Sequence, residues 1–214
     1  MKTNILQKIL VYIIGAILLY GSIALMVKTN IGMSPFDAFS LVISRLLNIE
    51  FGYATMIVNS VTFLIHWILL NKKFPKREYL QVFLIIGAGF LINFFSDYIF
   101  VHLPLNHYFL RLLIFIFAIP VLSIGILLML NAELMSTPIE GFSQTIAFKS
   151  KQSLGLVRWL VDGLLVVMVV ILTLLTRQPW TIGLGTLIML LAFGPSLDLM
   201  KRPVISFLKI MKFN

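Results

Sequence analysis

An internal repeat limits the folds open to this chain. Residues 34–43 read Ser-Pro-Phe-Asp-Ala-Phe-Ser-Leu-Val-Ile, and 103 positions later residues 137–146 read Thr-Pro-Ile-Glu-Gly-Phe-Ser-Gln-Thr-Ile. The register continues without a gap, so that Gly52 falls on Gly155 and Asn59 on Asp162. If the repeated unit crosses a membrane an odd number of times, its second copy must insert upside down, and the two copies form an inverted pseudo-two-fold.

Composition supplies the membrane. Hydrophobic residues make up 60% of the 214 positions and charged residues 12%, with a mean hydropathy of +1.03. Soluble domains carry about twice that share of charge. Six stretches, near 9–28, 52–71, 79–101, 109–130, 154–176 and 180–200, are long and apolar enough to cross a hydrocarbon core of about 30 Å. The first follows Lys2 and Lys8 as a signal peptide would. Its apolar run exceeds the length of a signal's hydrophobic region and leads straight into the repeat, so it reads as an uncleaved helix. The chain has no cysteine, which excludes disulfides and thiolate metal sites.

The net charge of +9 does not indicate nucleic acid, because the basic residues sort by side. With the N-terminus inside, the inner segments hold Lys2, Lys8, Lys72, Lys73, Lys76, Arg77, Lys149, Lys151, Lys201, Arg202, Lys209 and Lys212. The outer side holds only Lys28, Arg45, Arg111 and Arg177. This asymmetry predicts a multi-pass membrane protein with both termini cytoplasmic, embedded in the lipid bilayer and not bound to nucleic acid. The stretch from Ser206 to Asn214 can rest on anionic lipid or stand in solvent.

The expected fold is all-α and polytopic, a single membrane domain over 1–214 with about six transmembrane helices as a 3+3 inverted repeat. Repeat one covers 9–101, repeat two 109–200, and a basic cytoplasmic tail 201–214. Each repeat holds a short capped helix between its first and second spans. Ser34 and Thr137 can cap free N–H groups, Pro35 and Pro138 occupy the first helical position, and Asp37 and Glu140 stand at the third, as in a capping box. The first short helix, from Pro35 to about Leu47, places Phe36, Phe39, Val42, Ile43 and Leu46 on one face and Asp37, Ser40 and Ser44 on the other. Glu140, Ser143 and Gln144 form the matching polar face of the second. Two placements satisfy this pattern. Re-entrant half-helices would line a midplane cavity with their polar faces, and interfacial helices would lie flat in headgroup water.

Five residues stand out as candidates for a substrate path: Asp37, Asn59, Glu140, Arg158 and Asp162. An ionisable group at membrane depth costs about 2.5–3.5 kcal/mol on insertion scales, so it needs a partner or a task. Asp162 lies about 12 Å into the fifth span by helical rise. Arg158, one turn earlier, offers it an i,i+4 partner, and a self-neutralised packing pair is the competing reading. In repeat one the same positions are Thr55 and Asn59, polar but uncharged. Asn30 and Glu133 also match and precede the short helices, as loop or cavity residues. His66, His102 and His107 share no metal-site spacing, and no nucleophile–base pair or phosphate loop can be assembled. Neither enzymatic activity, a cofactor nor a bound metal is expected.

The Lys-x-Asn-x-Gly-x-Ser-Pro-Phe-Asp segment at 28–37, the Phe51-Gly52 start of the next span and the recurrence near Pro138 resemble the YczE/YyaS/YitT group of bacterial membrane proteins, the YczE branch most closely. Repeat two departs from that segment, with Met135-Ser136 where Gly32-Met33 stand in repeat one. The resemblance implies a polytopic plasma-membrane protein, and in one branch a role supporting secondary-metabolite production. From the residues, the leading expectation is a small secondary carrier or permease-like protein for a small polar or anionic solute, and the size is compatible with a homodimer. The alternative is a non-transporting accessory or scaffold for a cytoplasmic enzyme complex, working through the basic segment 71–78 and the tail.

Overall fold

The computed structural model describes residues 4–210 and 213, so the expectations for Lys2 and Lys212 lie outside the described residues. Eight α-helices follow one another: α1 Ile5–Thr29, α2 Pro35–Leu47, α3 Phe51–Leu70, α4 Gln81–Phe94, α5 Tyr108–Ala132, α6 Pro138–Ser150, α7 Leu154–Thr176 and α8 Leu184–Ile210. Two 3₁₀ turns, Asn71–Lys73 and Lys76–Leu80, lead into α4, and a π turn, Phe95–Ile99, ends it. Among the described residues, six helical segments are long and apolar enough to cross a membrane, and the chain is a multi-pass membrane protein. The last span starts later than the hydropathy suggested and runs on through Pro203 into the basic segment 201–210.

The 103-residue register reappears in the element boundaries. Starts match at Ile5 and Tyr108, Pro35 and Pro138, and Phe51 and Leu154; ends match at Thr29 and Ala132 and at Leu47 and Ser150. Matching residues also end the helices. Asn30 and Glu133 terminate α1 and α5, and Asn48 and Lys151 terminate α2 and α6, all with φ between 52° and 55°. A left-handed residue there turns the chain sharply while its N–H still satisfies a helix carbonyl. Asn30 and Glu133 are therefore stop residues, and Glu133 is exposed.

The chain divides into two compact units that cut across the repeats: Met1–Met33 with Phe94–Leu134 and Gly183–Asn214, and Ser34–Asn93 with Met135–Ile182. In the first, α1 and α5 run antiparallel. Lys8 near the start of α1 bonds Glu133 just past the end of α5, at 3.4 Å. At their crossing the backbones meet through glycine. A Cβ on Gly15 would sit 2.7 Å from the Gly125 carbonyl oxygen, and one on Gly125 would sit 2.6 Å from the Leu19 nitrogen. Here α5 also packs on α8. In the first turn of α8, the Gly185 N–H donates to the Ile31 carbonyl at 2.7 Å, and the Thr186 hydroxyl accepts from the Met33 N–H at 3.3 Å.

In the second unit, α2 packs on α3 and α7, and α6 packs on α7 and α3. Exchanging α2 with α6 and α3 with α7 leaves this set of pairings unchanged. The α4 helix joins through Asn93, whose Oδ1 accepts from the Gly52 N–H in the first turn of α3 at 2.7 Å.

The interior is mainly apolar, but many large apolar side chains are exposed and a set of polar ones is buried, unlike in a soluble globule. Buried positions include Asp37, Ser40, Ser44, Thr55, Asn59, Glu78, Gln81 and Ser143, while Trp159, Leu164, Leu174 and Leu175 of α7 are exposed. Lipid solvates the exposed side chains, and hydroxyls inside turn back on their own helices, as Ser40 does to the Phe36 carbonyl and Ser143 to that of Ile139. The glycine crossing gives a contrast to measure. Gly125→Ala should lower thermal stability by about 1–3 kcal/mol through overpacking against backbone. Gly87→Ala, with open space around it, should be neutral or slightly stabilising. Paired melting curves in one detergent read the difference, and equal effects would contradict the close approach of α1 and α5.

Candidate functional site

The two short helices begin with related but unequal caps. At α2 the Ser34 hydroxyl accepts from the Asp37 N–H at 3.2 Å and donates to the Asp37 carboxylate at 2.5 Å. At α6 the Thr137 side chain accepts no helix N–H. Glu140 instead turns back towards the Thr137 N–H and hydroxyl. Repeat one thus uses its cap residue and repeat two its third-position carboxylate, each half of the expected capping box.

The polar face of α2 is turned inward. Asp37 is 8% exposed and Ser40 fully buried, while Leu46 and Leu47 of the same helix are exposed. On α6, Ser143 is 1% exposed, whereas Gln144, expected on that face, is exposed. Phe36 and Val42 of the expected apolar face of α2 are buried as well, so both faces of this helix are covered over most of its length.

From α7, Arg158 and Asp162 complete the set. The Arg158 Nε donates to Asp162 Oδ2 at 3.2 Å, with the side chains 34% and 18% exposed. Asp162 Oδ1 is buried without a hydrogen-bond partner. Both Asp37 and Glu140 lie within electrostatic reach of Arg158, and Asp37 within that of Asp162 as well. Four of the five sequence candidates are therefore linked electrostatically, Asp162 through its ion pair with Arg158 and Asp37 and Glu140 at longer range, with both short helices contributing. The fifth, Asn59, is buried and donates its amide to the Thr55 carbonyl of its own helix at 2.9 Å.

A second polar locus escaped the sequence reading. Glu78, 5% exposed, accepts from the Ser136 hydroxyl at 2.7 Å, from the Ser136 N–H at 3.3 Å and from the Gln81 amide. Ser136 occupies the position of Met33 in the repeat, and the Met33 N–H is held by Thr186. Each short helix thus has its approach fixed by the start of the other repeat's third span. The only sequence sign was a single acid in an otherwise basic loop, and nothing in its spacing pointed to Ser136.

The charge arithmetic makes the two partners of the ion pair unequal. Removing Asp162 leaves Asp37 and Glu140 to balance Arg158, whereas removing Arg158 leaves three carboxylates together. Arg158→Gln should therefore destabilise the chain by about 1–3 kcal/mol, discounted for partial exposure from the value for a fully buried pair, and Asp162→Asn by clearly less. Denaturation midpoints of the two variants decide this, and the reverse order would contradict the clustering.

No solved structure matches the chain. Over 182 residues it is 28% identical to the Bacillus subtilis (strain 168) protein named uncharacterized protein YyaS, covering 85% of this chain and 86% of that protein. That relative falls within the group indicated by the segment at 28–37, although the motif alone pointed first to the YczE branch. The family of unknown function DUF6198 matches residues 6–202, nearly the whole chain, and the chain belongs to it.

Proposed function

We propose that this protein is a small secondary carrier, with a solute path lined by the polar faces of α2 and α6 and by Arg158 and Asp162 of α7. The observation that carries the reading is the convergence of Asp37, Glu140, Arg158 and Asp162 within a chain of six apolar spans. Ionisable groups are expensive in a bilayer, and a single packing pair does not call for two further carboxylates.

An inverted repeat is supported by three independent features. Element boundaries recur at one register, the equivalent spans α1 and α5 run antiparallel, and the pairings of α2, α3, α6 and α7 are unchanged on exchange. In such an architecture short helices approach the midplane from opposite sides, and two access states arise when the halves swap conformations. On this reading α2 and α6 are re-entrant.

The charge set bears on the solute. The guanidinium is already paired with Asp162 and lies within electrostatic reach of Asp37 and Glu140, so a small neutral polar solute or an organic cation fits better than the anion that Arg158 and the helix starts would suggest alone. Thermal-shift screening of the purified chain against three classes, amines, neutral polyols and amino acids, and small carboxylates and phosphates, tests this. An amine or neutral solute should raise the melting temperature, with the gain lost in Asp37→Asn and Arg158→Gln. Stabilisation only by anions would overturn the solute class. Stabilisation by none would contradict the carrier reading and favour an accessory protein that works through segment 71–78.

A further inference from the structure

The loop joining α3 to α4 has a property that the solute path does not use. Its exposed ionisable side chains, Lys72, Lys73, Lys76 and Arg77, are all positive, because its one acid, Glu78, is turned inward onto Ser136 and Gln81. The loop is also held in shape. It folds as the turns Asn71–Lys73 and Lys76–Leu80 around buried Phe74, whose ring meets those of Phe63, His66 and Tyr79 edge to face at 5.0–5.6 Å. The Lys149 ammonium donates to the Leu69 carbonyl, which brings the C-terminal end of α6, with exposed Lys149 and Lys151, beside this loop. Beside these cations stand exposed aromatic rings: Trp67, whose indole N–H donates to the Tyr79 hydroxyl at 3.2 Å, and Phe148.

We propose that this surface is a preorganised seat for anionic phospholipid headgroups, and that Glu78 is the residue that shapes it. Cations alone would serve any polyanion. Position selects lipid, since the loop lies where the two spans α3 and α4 end, and Trp67, Tyr79 and Phe148 supply the amphipathic rings that settle at headgroup level. Holding six cations on an ordered scaffold removes much of the side-chain and loop ordering that binding would otherwise require.

This seat stands apart from the solute path and makes a prediction opposite to that of charge counting. Glu78→Ala deletes a negative charge and frees Arg77, which lies 3.4 Å from the Glu78 carboxylate, so electrostatics alone predicts tighter anion binding. The seat predicts weaker binding, because the loop loses its tie to Ser136. The measurement is the melting temperature of the purified full chain in an uncharged detergent with added phosphatidylglycerol or phosphatidylcholine. It is repeated at about 0.1 M and about 1 M salt, where the screening length falls from about 10 Å to about 3 Å. Phosphatidylglycerol should raise the melting temperature by several degrees at low salt and phosphatidylcholine should not. The gain should vanish in Lys72→Gln/Lys73→Gln/Lys76→Gln/Arg77→Gln, shrink in Glu78→Ala, and survive in Lys201→Gln/Arg202→Gln. Should Glu78→Ala fail to fold, Ser136→Ala is expected to lose part of the gain. A larger gain in Glu78→Ala, a full gain in the quadruple variant, or equal stabilisation by glycerol phosphate or polyglutamate would overturn the proposal.

Discussion

Hydrocarbon offers no partner to a polar group, so every polar atom this chain carries across a bilayer must be satisfied from within. That constraint organises the structure. Hydroxyls along the helices return to carbonyls one turn back, Asn93 serves the first turn of α3, and the approaches to α2 and α6 are held by Thr186 and Glu78. Satisfaction is incomplete: several buried side-chain atoms, among them His66 Nδ1, Gln81 Oε1 and Asn93 Nδ2, have no hydrogen-bond partner. Among them is one oxygen of Asp162, the ionisable residue paired with Arg158, which also lies within electrostatic reach of Asp37 and Glu140. A charged set that does not close on itself has capacity for something else.

The two copies of the repeat have kept their geometry and divided their chemistry. Helix boundaries, left-handed stops and back-bonded serines coincide at the 103-residue spacing. Charge does not. Repeat two holds Arg158 and Asp162 where repeat one has Thr55 and Asn59, and those two residues bond back into α3. Likewise the approach to α6 is held by a carboxylate, and that to α2 by a hydroxyl and a backbone bond. The result is a common frame with chemically unequal polar positions.

Much of the frame was legible in the sequence because its signals are local. Pro35 and Pro138 mark helix starts through a missing N–H, apolar length marks spans, and an ungapped repeat fixes the correspondence of elements. Asp37, Glu140, Arg158 and Asp162 drew attention for the same reason, since an ionisable residue in an apolar run stands out wherever it falls. What stayed hidden depends on tertiary pairing. The bond between Glu78 and Ser136 joins residues 58 apart with no shared motif. Asn59 looked equivalent to Asp162 by register, yet an amide can satisfy itself on its own helix where a charge cannot. Asn30 and Glu133 read as loop or cavity residues, because a left-handed stop at Glu133 lacks the usual glycine signature.

The central claim is that the inward polar faces of α2 and α6 meet within the membrane. Single-cysteine labelling tests it directly in this cysteine-free chain, with reporters at positions 37, 40, 140 and 143 and membrane-impermeant reagent applied from each side. The account predicts slow labelling at all four, with the α2 pair reached from one side and the α6 pair from the other. Labelling at all four positions as fast as at a chain terminus would place both helices at the water interface and contradict it.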